Sequence, residues 1–242
     1  SVMAKKIAFG SNHIVIDIPY GKTAKVHKKK DALDLKEKFQ YLAREFKVEI
    51  KVLIRKTDEP WGRGMGALLE TRDAIRVLQQ KPNRPLDLEG GSLLLATELL
   101  KICLNHSPKS LKNKIKKQYE NCENWAKEIL ESGLAMSKMR EIIKAQGGNS
   151  NIDSEDLKPG HFSEDVKAKR SGIIKEINIK NVTAVAKALG SPEQKGAGIY
   201  LYKKIGEKVD KGEIIYTIYS EKMYNLKEGN RVRKDFRLLK IL

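Results

Sequence analysis

Apolar residues follow two regimes along this chain. Up to about residue 147, short apolar runs alternate with stretches of helical spacing; beyond about 165, short strands between glycine turns take over. Residues 1–6 read as a short basic helix. Ile14-Val15-Ile16 is a continuous apolar run, as expected of a strand covered on both faces. Leu35, Phe39, Leu42 and Phe46 then fall at helical spacing over 31–47, with Asp31 as the expected N-cap. A second apolar run, Val48 to Ile54, completes a strand–helix–strand order, which predicts a right-handed crossover and a parallel sheet.

The glycines of Pro60-Trp61-Gly62-Arg63-Gly64-Met65-Gly66 precede a helix carrying Leu68, Ile75 and Leu78. A tight turn and a ligand loop both fit that placement. After the break at Pro82 to Pro85, Ser92 is the expected cap of Leu93–Leu104, which is apolar nearly all round and therefore expected to be buried. One helix is predicted over 110–131 and a shorter one up to Gly147-Gly148. The polar stretch 147–164 reads as a linker. Beyond it, strands are expected at Ile173–Ile179, Ile199–Tyr202, Ile214–Tyr219 and Phe236–Leu242, with a helix from Asn181 to Leu189.

The predicted architecture is an α/β parallel-sheet domain over 1–150, incomplete at its N-terminus. A linker over 151–164 and a small α+β domain over 165–242 with a curled antiparallel sheet complete it. The reading begins at residue 1 with an element that needs an opposite wall, so the chain is expected to be the C-terminal portion of a longer protein.

Composition narrows the function. With 242 residues, 40% hydrophobic and 33% charged, the chain can bury a sizeable core. No apolar run approaches the ~20 residues of a membrane span, so no membrane partner is expected. Cys103 and Cys122 fall at apolar helical positions, which reads as buried thiols and suits a reducing cytoplasm. The net charge of +17 is spread over nearly every element, and aromatics are only 6%. Nucleic-acid binding would want cations on one face with aromatics between them. A positive field attracting a phosphorylated small substrate explains the charge as well. The run Lys109 to Lys117 reads as a solvated helix face.

Candidate chemistry concentrates near the first strand. In open α/β sheets ligands sit beyond the carboxyl ends of strands. Ile18-Pro19-Tyr20-Gly21 lifts Lys22 and Lys25 off such an end. Either lysine alone could equally be a solvated loop residue, and for Lys22 the two readings stay open. Asp17 is expected to hydrogen-bond a backbone N–H or orient a lysine. His13, His27, His106 and His161 lack metal-ligand spacing and read as surface or structural residues. Lys208 and Lys211 lie in a glycine-bounded turn but lack the local pattern of a biotin or lipoyl carrier.

Several motifs carry a family resemblance. Ser1-Val2-Met3-Ala4-Lys5-Lys6 with Val15-Ile16-Asp17-Ile18-Pro19-Tyr20-Gly21 resembles the central segment of the thymidine phosphorylase superfamily. Glu141 to Gly148 is similar to its helix-ending signature. Gly196 to Leu201 and Gly206 to Glu213 resemble its C-terminal domain, whose sheet is like a biotinyl/lipoyl hammerhead. The stretch Ile18 to Val26 resembles the archaeal-type AMP phosphorylase branch more than the pyrimidine branch, although Met65, Ala67, Met136, Ser137, Met139 and Asn149 depart from the pattern.

The resemblance implies phosphorolysis of AMP to adenine and ribose 1,5-bisphosphate, with thymidine or pyrimidine nucleoside phosphorolysis as the alternative. A basic nucleic-acid module is the remote third reading. By the resemblance, Ser1 and Lys25 contact AMP, and Lys5 matches a base-contacting lysine of the pyrimidine branch. The proton donor would lie upstream of Ser1, leaving no catalytic residue within the chain, which alone would be inactive. The resemblance implies no cofactor and no metal. The partners it implies are AMP, inorganic phosphate, the missing N-terminal portion and further copies in a homo-oligomer, with no nucleic acid.

Overall fold

The computed structural model describes residues 2–242. In chain order its first elements are α1 Val2–Ala8, β1 His13–Tyr20, α2 Lys29–Glu45, β2 Glu49–Lys56, β3 Gly64–Met65, α3 Ala67–Leu78, α4 Leu86–Asn105, α5 Lys109–Tyr119, α6 Cys122–Glu131 and α7 Leu134–Ala145. They are followed by β4 Phe162–Lys167, β5 Gly172–Ile177, α8 Ile179–Ala188, β6 Gly198–Leu201, β7 Lys208–Val209, β8 Ile214–Ser220, α9 Met223–Asp235 and β9 Leu239–Ile241. The chain is thus mixed α/β.

Its contacts separate into two compact units, each discontinuous in sequence. One comprises residues up to 57 together with 89–135, and the other 58–88 together with 136–242. The contiguous boundaries at 150 and 165 do not follow these contacts. The reason is β3, which pairs antiparallel with β6 through Gly64↔Tyr200 and Met65↔Ile199 and so ties 58–88 to the C-terminal sheet.

In the first unit, β1 and β2 pair in parallel from His13↔Glu49 to Tyr20↔Lys56, joined through α2 as the strand–helix–strand pattern requires. Ile14, Ile16 and Ile18 point into one apolar cluster with Met3 of α1, Ala32 of α2 and Val52 of β2. Burying each isoleucine contributes ~1.5–3 kcal/mol, enough to fix the register. Phe46, expected on the buried stripe of α2, is instead exposed, because the helix ends at Glu45 and Lys47 turns to φ 53°. Asp31 lies inside the first turn of that helix, and Lys28 is the N-cap.

Two helical expectations are corrected. The helix predicted over 110–131 is broken at Glu120, which takes φ 64°, and Asn121 restarts it as α6 by accepting a hydrogen bond from the Asn124 N–H. Ser92 does not cap a helix. It lies within α4, which begins directly after Pro85 and carries Asp87 and Glu89 where the helix dipole favours acids. Nor is α4 buried all round, since Leu94 and Leu99 are exposed.

The second unit holds two antiparallel sheets, in order β3-β6-β8-β4 and β7-β5-β9. Ile174, Ile177, Leu189, Ile199, Leu201 and Ile218 form its fully buried centre. Part of the expected linker is β4, paired with β8 from Phe162↔Ser220. The strand expected over Phe236–Leu242 is confined to β9, because α9 runs up to Asp235. That helix lies close to Leu189, and a Cβ on Gly229 would sit 2.3 Å from the leucine side chain.

Candidate functional site

The carboxyl ends of β1 and β2 close on a short turn. Gly21 N–H donates to Val26 O at 2.9 Å, Ala24 N–H to Gly21 O at 3.1 Å, and Thr57 N–H to Tyr20 O at 2.8 Å. Glycine is required at 21 by space: a Cβ there would lie 1.9 Å from the Thr57 carbonyl oxygen. Ala24 is buried and Val26 packs against the Ile14–Ile16–Ile18 cluster, so apolar anchors hold the turn while Lys22 and Lys25 project into solvent. Neither lysine has an acidic partner among the described residues. Lys56, opposite Tyr20 in the ladder, adds a further cation at the same edge, which sequence reasoning had not singled out.

Asp17 orients an arginine rather than a lysine. The Arg55 guanidinium donates from Nε at 2.9 Å and from Nη2 at 2.5 Å to its two carboxylate oxygens. This bidentate pair crosses diagonally from β1 to β2, with Arg55 one residue before Lys56 and Asp17 three before Tyr20. An arginine directly before a lysine at the end of a β-strand was the available signal, and it became meaningful only once the parallel register was known.

Lys5 lies on the exposed side of α1, while Met3 anchors that helix. No hydrogen bond or ion pair among the described residues joins Lys5 to Lys25. Ser1 lies outside the described residues.

The glycine segment 62–66 is not a phosphate cradle. Its backbone N–H groups are already engaged by the protein's own carboxylates: Gly62 with Asp87 at 3.1 Å, Arg63 and Gly64 with Asp73 at 2.7 and 2.8 Å, and Gly66 with Glu70 at 3.0 Å. The glycines allow close packing, since a Cβ on Gly66 would lie 2.3 Å from Ala197 O. The segment is a bend that leads into the short strand β3.

His13 and His106 also have structural partners. His13 Nε2 lies 3.0 Å from His106 Nδ1, and His106 Nε2 is 3.6 Å from Glu49. Among the described residues, no group of three or more His, Cys, Asp or Glu side chains is placed to hold a metal ion. Cys103 and Cys122 are free, and burial pushes the Cys122 thiol pKa up.

A parallel β-α-β unit with a lysine-bearing turn at its carboxyl edge, and a separate antiparallel unit, define a mixed α/β protein. Residues 173–239 match the family described as pyrimidine nucleoside phosphorylase C-terminal domain. A protein of Thermococcus kodakarensis named AMP phosphorylase is 39% identical over 91% of this chain and 42% of its own length. A Bradyrhizobium protein provisionally named thymidine phosphorylase is 37% identical over 91% of this chain and 40% of its own. One from Methylococcus capsulatus with the same provisional name is 33% identical over 98% of this chain and 44% of its own. The chain therefore belongs to the thymidine phosphorylase superfamily, close to its AMP phosphorylases. It spans about two-fifths of the length of these relatives.

Proposed function

We propose that this chain supplies one wall of the active site of an enzyme that phosphorolyses AMP to adenine and ribose 1,5-bisphosphate. The observation that carries this reading is the turn locked by Gly21 against Thr57, which holds Lys22 and Lys25 free at the carboxyl edge of parallel strands. The identity with proteins named AMP phosphorylase supports the choice of nucleotide over nucleoside. Lys25 and Ser1 contact AMP in this reading, with Lys5 on the base side.

Phosphorolysis develops positive charge on the ribose while an anionic nucleophile attacks in line and the base departs as a neutral leaving group. Two anions in one cleft need several cations, and the strand-end lysines meet the nucleotide phosphate. No carboxylate in this chain matches the family's proton donor, and 62–66 has its N–H groups committed elsewhere. The reading therefore assigns acid catalysis and phosphate binding to a segment preceding Ser1, and the 242 residues alone are expected not to turn over AMP. It includes a homo-oligomer acting in the cytoplasm on small molecules. No described helix is long and apolar enough to cross a membrane.

Relatives provisionally named thymidine phosphorylase match about as well, and they favour pyrimidine nucleosides as the second reading. Phosphate-dependent release of base by the complete protein, measured in parallel with AMP and with thymidine, decides between them. Adenine release without thymine release is expected. Turnover of thymidine and not AMP would overturn the proposal.

A further inference from the structure

The second unit contains a cavity of about 530 Å³, within the size range of small-molecule sites. Lys167, Lys169, Arg170, Arg233, Lys234 and Arg237 line it, and among the described residues no carboxylate does. These cations come from four separate segments: the end of β4, the connection to β5, the last turn of α9, and the connection to β9. The β4–β8 register shifts between Val166 and Lys167, an irregularity of the kind that re-aims side chains. The floor is apolar, made by the buried Ile215, Tyr216, Leu238 and Leu239.

Two of the six cations are accounted for. Arg233 pairs with Glu164 at 2.5 Å, and Arg170 donates to the Ile241 carbonyl. The α9 dipole favours Lys234, but it gives no reason for Lys167, Lys169 or Arg237. None of these last four has an acidic partner among the described residues. Like charges crowded over an apolar floor repel one another and raise the local positive potential. A ligand with about four negative charges would relieve that repulsion.

We propose that this cavity binds a small molecule bearing adjacent phosphate groups, recognised through its polyphosphate chain. Among the described residues the only aromatic ring of the lining, Tyr216, is buried in the floor, so a base has no exposed ring there on which to stack. The inference does not depend on the reaction proposed for the strand-end turn.

Calorimetry on the full chain near physiological salt tests it, with inorganic tripolyphosphate, ATP and polyglutamate as separate ligands. Saturable binding of tripolyphosphate is expected, with ATP within about threefold. The paired reversal Lys234→Glu/Arg237→Glu should weaken tripolyphosphate at least about tenfold, through lost charge-assisted contacts. The same charge change on the exposed face of α5, Lys114→Glu/Lys117→Glu, and the strand-end variant Lys25→Ala should leave it within about twofold. As a check on folding, the neutral pair Lys234→Gln/Arg237→Gln should keep or raise the unliganded melting temperature while still weakening tripolyphosphate. Absence of saturable tripolyphosphate binding overturns the proposal, as does equal loss in the α5 variant. Binding of polyglutamate alone would assign the cavity to an acidic protein and overturn it too.

Discussion

Asp73 and Gly64 are joined by a 2.8 Å hydrogen bond in which the glycine N–H donates to a carboxylate that is only 1% exposed. The same oxygen accepts from Arg63 N–H at 2.7 Å. Asp73 thereby fixes the bend that delivers β3 to β6, joining parts of the chain more than a hundred residues apart.

Removing that carboxylate leaves two backbone donors unpaired, one of them fully enclosed. Asp73→Ala should destabilise the chain by about 2–5 kcal/mol, from ~1–3 kcal/mol per unsatisfied buried group. Asp73→Asn retains an acceptor and should cost less. Urea unfolding of both variants against the parent checks the order.

The Arg76–Glu155 pair gives the stability a definite pH window. Arg76 is buried and donates from Nε and Nη2 to the two Glu155 oxygens at 2.7 and 3.0 Å. This hydrogen bond is the main reason the Glu155 carboxyl is held at about 2, below its ordinary 4.5. The folded state therefore holds this proton more weakly than the unfolded state. Its stabilisation is present above about pH 4.5 and is lost as pH falls towards 2. Asp153, lowered chiefly by Lys81, contributes in the same direction. Glu155→Gln should flatten part of the slope of unfolding free energy between pH 5 and about pH 3, and leave the slope near pH 7 unchanged. An unaltered acid profile would show that the half-exposed carboxylate is screened by solvent.

What the sequence revealed depends on how local the cause of each element is. The β1–α2–β2 order was legible because Ile14, Ile16, Ile18 and the α2 stripe carry their own periodicity. The β3–β6 pairing was not: Gly64-Met65 is two residues long and gains its strand only from Tyr200 and Ile199. The break at Glu120-Asn121 was missed because apolar spacing continues across it from Ile115 to Ala126, and only the Asn121 cap betrays it. α9 was missed because its two buried positions, Leu226 and Gly229, make no helical stripe. At the strand-end turn, spacing placed Lys22 and Lys25 correctly. The Asp17–Arg55 pair and the position of Lys56 needed the register.

Gly21 tests whether the turn geometry matters apart from its charges. Alanine adds only a methyl group, yet its Cβ would lie 1.9 Å from Thr57 O, so the turn must move. Gly21→Ala should destabilise the chain by about 1–3 kcal/mol, as overpacking does. In the complete protein it should also raise the KM for AMP. Gly10→Ala is the comparison: at φ 71° it is strained, but no atom lies within 4 Å of its Cβ. It should cost about 1–2 kcal/mol and leave the KM alone.

Lys25 separates the nucleotide-site reading from the solvated-loop reading. The side chain is exposed and has no acidic partner among the described residues, so its removal should leave the unfolding free energy within about 0.5 kcal/mol. If its ammonium grips the AMP phosphate, Lys25→Ala loses a charge-assisted hydrogen bond of ~1.5–3 kcal/mol. That corresponds to a roughly 10–150-fold loss in kcat/KM for AMP in the complete protein. The loss should fall mainly on KM, because the phosphate carries no developing charge at the reacting carbon and the contact is equal in ground and transition states. Lys25→Arg should recover part of it by keeping the charge. Unchanged kcat/KM in Lys25→Ala, with stability intact, would return this lysine to the solvent and leave the strand edge without its principal ligand.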